Sequence, residues 1–400
     1  MASLSYGSIA WLPTAIPFLA MRGKSSWLQG VVAMIYAEKK TIAHTLLFAG
    51  LLVLSLNYVL YWVLGFEALR MPVRVSAIAM FALSLAFNFK ALRFDILYIP
   101  MLGLATLSFL LHGTDALNML AVLLFVLAAS PYSLEVLLAD LLKCFAVALL
   151  LYLASIALGR AAIVTHTYGG RTRNYLGFSH VNAAALFFLP LLLLLAMKFK
   201  RKKVLFCFVV LSFVVLYALT NTRSVLFAVG AFLLGYALFV AMGKAKALTH
   251  FRGVFGLIVL YALLGAAFTL SLFAGTNIDV ALSYRPTLFH EAIASFTPLD
   301  WLFGSSAFKE VDNSFIVIVG HYGLIFLAFA VAVLHKSILR CAKTGDAWSY
   351  AFILSIVATG SLESFLYRPE LIGTLAFWII VFGYARPNVP IDSRNEATHV

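Results

Sequence analysis

The feature that most limits this chain is a succession of apolar runs, too many and too long to be hidden inside one water-soluble core. A helix that crosses a bilayer needs roughly 20 mostly apolar residues, and runs of about 17 to 25 residues number about twelve. They centre near residues 54, 80, 103, 122, 146, 186, 212, 233, 264, 324, 356 and 377. Of the 400 residues, 63% are hydrophobic and 11% charged, with a mean hydropathy of +1.00. That leaves too little polar surface for a soluble protein of this size. The expected fold is therefore an all-α polytopic membrane protein, a single integral membrane domain over residues 1–400. Residues 1–37 carry only short apolar patches, the first with Pro13 and Pro17, and are expected to form an interfacial segment. Cys144, Cys207 and Cys341 have no CxxC spacing, so neither a disulfide framework nor a metal site is indicated.

The connections between runs set an orientation. "KFKRKK" (198–203), "KAKALTHFR" (244–252) and "HKSILRCAK" (335–343) alternate with connections poor in lysine, as the positive-inside rule requires. Extending the alternation places "AEKK" (37–40), "KALR" (90–93) and the tail 386–400 inside, so both termini are expected in the cytoplasm. The net charge of +13 is then mainly a topology and anionic-lipid signal, and no aromatic-basic module points to nucleic acid.

On this topology the outer face uses arginine. Arg70, Arg74, Arg160, Arg171, Arg173, Arg223, Arg285 and Arg368 lie outside against one lysine, Lys309. A guanidinium holds phosphate or carboxylate with a planar fork, which favours oriented oxyanion binding over simple attraction. The plainer alternative is that these arginines pair with lipid phosphates or with Glu67, Asp279, Glu363 and Glu370. Arg223, in the tight connection "LTNTRSVL", must stay close to the membrane surface, where a charge is costly and usually functional.

Two outer stretches are long enough to build a site. Residues 159–175 lead into "RTRNYLGFSHVN", which sets Arg171, Arg173, His180 and Asn182 before an apolar run. Residues 275–313 form the long loop between the ninth and tenth spans. Within it "PTLFHEAIASF" predicts a short amphipathic helix with Leu288, Ala292, Ile293 and Phe296 on its apolar face and His290 and Glu291 on it. The tenth span opens with Asp312 and Asn313, a pair also suited to helix capping.

These motifs resemble, in order, those of the O-antigen polymerase and O-antigen ligase superfamily. "RNYLGFSHVN", "TNTRS", "SYRPTLFHEAI…PLDWLFGSS" and "DNSFIVIVGHYGLI" cover residues 171 to about 327. The resemblance implies a bacterial cytoplasmic-membrane glycosyltransferase, active on the outer side, that joins oligosaccharide repeat units carried on undecaprenyl diphosphate into a surface polysaccharide. It implies no cofactor and no metal. Membrane lipids, a flippase and a chain-length regulator are the implied partners. Arg171, Arg173, Arg223 and Arg285 would face the donor diphosphate. The general base is open between Asp312, His290 and Glu291, while His180 orients Asn182 or meets the diphosphate, and Asn313 supports the site. Asp312, where ligases carry His, favours the polymerase branch. A ligase passing finished glycan to a terminal acceptor is the alternative. A transporter is the alternative from another class, with Asp140 and Lys143 as an intramembrane pair.

Overall fold

A computed structural model describes residues 24–168, 171–200, 202–244, 249–282 and 284–386. Among them are fifteen α-helices: α1 (Lys24–Trp62), α2 (Arg70–Asn88), α3 (Tyr98–His112), α4 (Leu117–Ala129), α5 (Leu134–Ala157), α6 (Val181–Lys198), α7 (Lys203–Thr220), α8 (Arg223–Lys244), α9 (Phe251–Thr269), α10 (Asn277–Ala281), α11 (Arg285–Ala294), α12 (Pro298–Phe303), α13 (Ser314–Thr344), α14 (Ala347–Gly360) and α15 (Ile372–Ala385). The departure from an all-α fold is a hairpin of β1 (Thr165–Tyr168) and β2 (Arg171–Asn174), antiparallel, with His166 opposite Arg173.

Each of the twelve expected centres falls in an apolar helix. Among the described residues eight helices are long and apolar enough to cross a membrane, and α3, α4, α14 and α15 are shorter. Length and burial go together here. α14 and α15 are buried on nearly every side, as is α4, whereas α7 exposes Phe208, Leu211, Val214 and Val215. A helix apolar all round and enclosed by others need not match the thickness of lipid; one with an exposed apolar face must have lipid or protein against it. Residues 24–37 continue the backbone of α1, while residues 1–23 and 387–400, the ends of the expected interfacial segment and tail, lie outside the described residues.

Because α14 stops at Gly360 and α15 begins at Ile372, the connection between them is sunk among the helices, and nearly all of it is buried. Buried non-helical backbone needs a partner for every polar group. Side chains from the start of α13 and from α15 supply many of them. Asn313 donates to Ser361 O (2.9 Å) and Ser314 Oγ to Glu363 O (2.6 Å), while Phe365 N and Leu366 N donate back to Ser314 Oγ (2.9 and 3.1 Å). Thr374 Oγ1 donates to Phe365 O and Trp378 Nε1 to Leu366 O.

The loop 275–313 is more ordered than its sequence predicts, with α10, α11 and α12 in place of one helix. The inward face of α11 also differs. Ala292, Ile293 and Phe296 pack inward as expected, but Phe289 is buried and Leu288 is exposed. The cause lies upstream: Asp279 accepts from Gly275 N, Thr287 N and Thr287 Oγ1, which fixes the rotation of α11. Asp279 is thus a structural clamp here, not a partner for the outer arginines.

α13 is interrupted at Gly323, whose backbone sits at φ 81° and ψ 169°, a region open essentially to glycine. The break lets α12 press against it. The carbonyls nearby find partners in Ser305 N, which donates to Gly320 O (2.7 Å), and Ser108 Oγ, which donates to His321 O. A Cβ on Gly323 would overlap Leu302 O, far inside van der Waals contact. Gly323→Ala is therefore expected to cost at least about 2 kcal/mol, from the strained dihedral together with backbone overlap. Thermal unfolding in detergent checks this: Gly265→Ala, in open space on α9, should leave the midpoint nearly unchanged.

Candidate functional site

Four of the stretches that charge alternation assigns to the outside, those leading into α6, α8, α13 and α15, meet at one end of the bundle around a cavity of about 410 Å³. Arg173 comes from β2, His180 and Asn182 from the start of α6, Arg223 and Ser224 from the start of α8, Arg285 from α11, Asp312 from the approach to α13, and Glu363 from the α14–α15 connection. Leu270, Leu282, Leu288, Phe227 and Phe289 form its apolar wall. The stretches assigned to the inside meet at the other end, where Lys336 pairs with Asp95 (3.1 Å) and Arg386 donates to Ser130 O (3.0 Å).

Arg285 is the link between the two cavity carboxylates. Its Nη2 stands 3.5 Å from Glu363 Oε1 and 3.8 Å from Asp312 Oδ2. The other oxygen of Glu363 accepts from Asn182 Nδ2 at 3.0 Å. The two acids differ in setting: the Glu363 side chain is 2% exposed and the Asp312 side chain 47%. Burial and the adjacent Asp312 carboxylate push the Glu363 carboxyl up to about 7, against the pull of Arg285.

Local geometry explains several of the remaining roles. His180 is the N-cap of α6, its Nδ1 accepting from Asn182 N at 3.2 Å. Burial holds its pKa down, with Asp312 opposing and Arg173 and Arg368 adding to the effect. A neutral imidazole with Nδ1 accepting carries its proton on Nε2, so His180 offers the cavity an N–H. Asn313 caps α13 through Phe315 N and Ile316 N while its amide holds Ser361, so it supports the cavity from behind. Arg173 Nε is buried without a hydrogen-bond partner, a donor left over for a ligand.

Not all of the sequence candidates converge. His290 and Glu291 lie on the exposed side of α11 and do not line the cavity. The side chain of Arg171 lies outside the described residues. Arg74 is buried beside Glu370, Nη2 to Oε1 at 2.7 Å, and Arg368 pairs with Glu310 at 3.2 Å and faces the rings of Trp62 and Tyr367. Asp140 is buried and accepts from Lys143 (2.9 Å) and His44 (2.8 Å), with the Lys143 side chain mostly exposed. Among the described residues no group of three or more His, Cys, Asp or Glu side chains is placed to hold a metal ion.

Sequence reasoning treated Glu363 only as a counter-ion for outer arginines. Its signal was a charge in "GSLESFLYRPE", a polar interruption between two strongly apolar runs, where an ionisable residue is seldom idle. No family model, no curated protein and no solved structure matches the chain.

The Arg74–Glu370 pair generates a stability prediction. Glu370→Ala leaves a buried guanidinium unpaired and should cost about 3–5 kcal/mol, whereas the double replacement Arg74→Met with Glu370→Leu should recover most of that. Unfolding midpoints of the three proteins in one detergent check it. Equal loss in the single and double variants would mean the pair holds something other than itself.

Proposed function

We propose that the protein is a membrane glycosyltransferase that polymerises undecaprenyl diphosphate-linked oligosaccharide repeat units into a surface polysaccharide. In this reading the twelve apolar helices all cross the bacterial cytoplasmic membrane, both termini are cytoplasmic, and the cavity opens outward. The observation that carries it is the convergence of Arg173, Arg223 and Arg285 on one cavity with an apolar wall. An amphipathic donor has matching chemistry: a diphosphate for the guanidinium forks and a polyprenyl tail for the leucines and phenylalanines.

In the transfer, the acceptor's hydroxyl oxygen bonds to the anomeric carbon of the donor sugar. The bond from that carbon to the diphosphate breaks, and its electron pair leaves with the diphosphate. Negative charge grows on the leaving group, so fixed guanidiniums facing it favour the transition state over the bound donor. The His180 N–H and the amide of Asn182 are further donors at the same wall.

A carrier for lipid-linked substrates is the second reading, favoured by the broken helix α13, a device transporters use at their binding sites. Products separate the readings. Incubated with lipid-linked repeat units alone, a polymerase makes a ladder, a ligase makes nothing until a second acceptor is added, and a carrier leaves the glycan unchanged.

Two measurements test the proposal. In a variant lacking Cys144, Cys207 and Cys341, cysteines at Ser295 and Ser305 should react with a membrane-impermeant thiol reagent added to intact cells, and one at Thr249 should not. Reversed labelling would place the cavity in the cytoplasm and end the proposal. Arg173→Lys and Arg223→Lys keep the charge but lose the fork, so each should lower turnover at least tenfold, about 1.4 kcal/mol of transition-state stabilisation, with a smaller change in donor affinity. Wild-type turnover in both would mean that the arginines only anchor the protein to its lipids.

A further inference from the structure

We propose that Glu363 is the proton acceptor of the transfer reaction, with Arg285 and Asp312 as the positioning pair that sets its strength as a base. This rests on the glycosyl-transfer reading above. Among the described residues two carboxylates line the cavity, Asp312 and Glu363, and the base must be one that a bound hydroxyl can reach. His180 has the wrong polarity, since its Nδ1 is occupied by Asn182 N and its other nitrogen donates.

Geometry separates the two acids. Asp312 is half open to water, with Arg285 Nη2 3.8 Å from its Oδ2. Glu363 is held on three sides: Asn182 Nδ2 on Oε2, Arg285 Nη2 on Oε1, and the Ser314 hydroxyl on its own main-chain oxygen. The Ser224 hydroxyl is a further donor to Glu363, and a carboxylate with about four lone-pair sites still has capacity for one substrate hydroxyl. A fixed and dehydrated carboxylate loses little to reorganisation when it takes a proton, whereas a solvated side chain must first be desolvated and immobilised.

The step balances without a further reactant. Glu363 takes the hydroxyl proton while that oxygen bonds to the anomeric carbon. The diphosphate departs toward Arg173 and Arg223 with the bonding pair, and Glu363 later releases its proton to water. Asp312 acts through Glu363, its negative charge disfavouring ionisation, and Arg285 acts in the opposite sense. Other charged or titratable groups around Glu363 are His180 from α6, Arg173 from β2 and Arg223 from α8, which line the same cavity, and Tyr58 from α1, whose hydroxyl feels Glu363 together with Arg368 and Glu370.

A base of this kind works only when deprotonated, so turnover should rise with pH through a limb near 7. The test uses purified full-length protein and undecaprenyl diphosphate-linked oligosaccharide extracted from membranes of a strain deleted for it, with single-turnover rates measured across pH. Glu363→Gln should lower the rate a hundredfold or more at every pH, with donor binding changed less than threefold. Asp312→Asn should move the limb to lower pH, because the charge that opposed ionisation is gone, and should lower the high-pH rate by less than tenfold, because the weaker base accepts a proton less readily. Near-normal turnover in Glu363→Gln would overturn the assignment, as would loss of turnover in Asp312→Asn at every pH, which would make Asp312 the base. Should Glu363→Gln fail to fold, the limb still decides: an unmoved limb in Asp312→Asn overturns the proposal and a shifted one supports it. If the wild-type protein forms no product from this donor, with or without added acceptor, the glycosyl-transfer reading itself falls and Glu363 loses the role with it.

Discussion

The hydroxyl of Ser314 uses its whole hydrogen-bonding capacity on one stretch of chain, donating once to Glu363 O and accepting twice from Phe365 N and Leu366 N. The connection it holds is non-helical and buried, and so could not persist without such partners. Ser314 sits at the first turn of α13, directly after the Asn313 cap, so one helix start both begins a long apolar helix and sets the floor of the cavity. Replace the hydroxyl and Leu366 N loses this partner, while Phe365 N and Glu363 O are left with the 3.2 Å bond between them. The position of Glu363 follows from this arrangement, because its main chain is fixed before its side chain meets Asn182 and Arg285.

Charge in the cavity is only partly balanced. Arg173, Arg223 and Arg285 face Asp312 and Glu363, leaving an excess of positive charge that grows when Glu363 takes a proton. The nearby Arg74–Glu370 pair is closed by contrast. Although burial opposes ionisation of Glu370, the guanidiniums of Arg74, Arg70 and Arg368 hold its carboxyl below the usual range, which keeps it committed to its partners. Two sets of arginines that look alike in sequence thus divide into one drawn to the buried Glu370 carboxylate and one that lines the cavity.

Much of this was legible in the sequence, and for a physical reason. Hydrocarbon tolerates only satisfied backbone, so a long apolar run is nearly obliged to be a helix, and all twelve centres hold one. Charge alternation also groups connections by side, and four of those grouped outside contribute to the cavity, while the connections after α1 and α3 do not. What stayed hidden depends on contacts distant in sequence. The rotation of α11 is set by Asp279, which looks like a surface charge until Thr287 is seen against it. The shortness of α14 and α15 reflects enclosure by other helices, which an apolar run does not record. Gly323 reads as a packing residue in "GHYGLI", and its break becomes visible only with α12 pressed into it. Arg74 and Arg173 differ by their neighbours alone.

Phe227 and Leu288, on the cavity wall, remain about half exposed. For the lipid-linked ligand proposed above, an opening lined this way would allow entry sideways, within the plane of the membrane, and a long tail need never pass through water to reach it. Occupancy would then follow the ligand's mole fraction in the leaflet, not its aqueous concentration. A weak intrinsic affinity would be enough in a membrane rich in the lipid, and the same protein would look like a poor binder when its ligand is diluted among excess detergent.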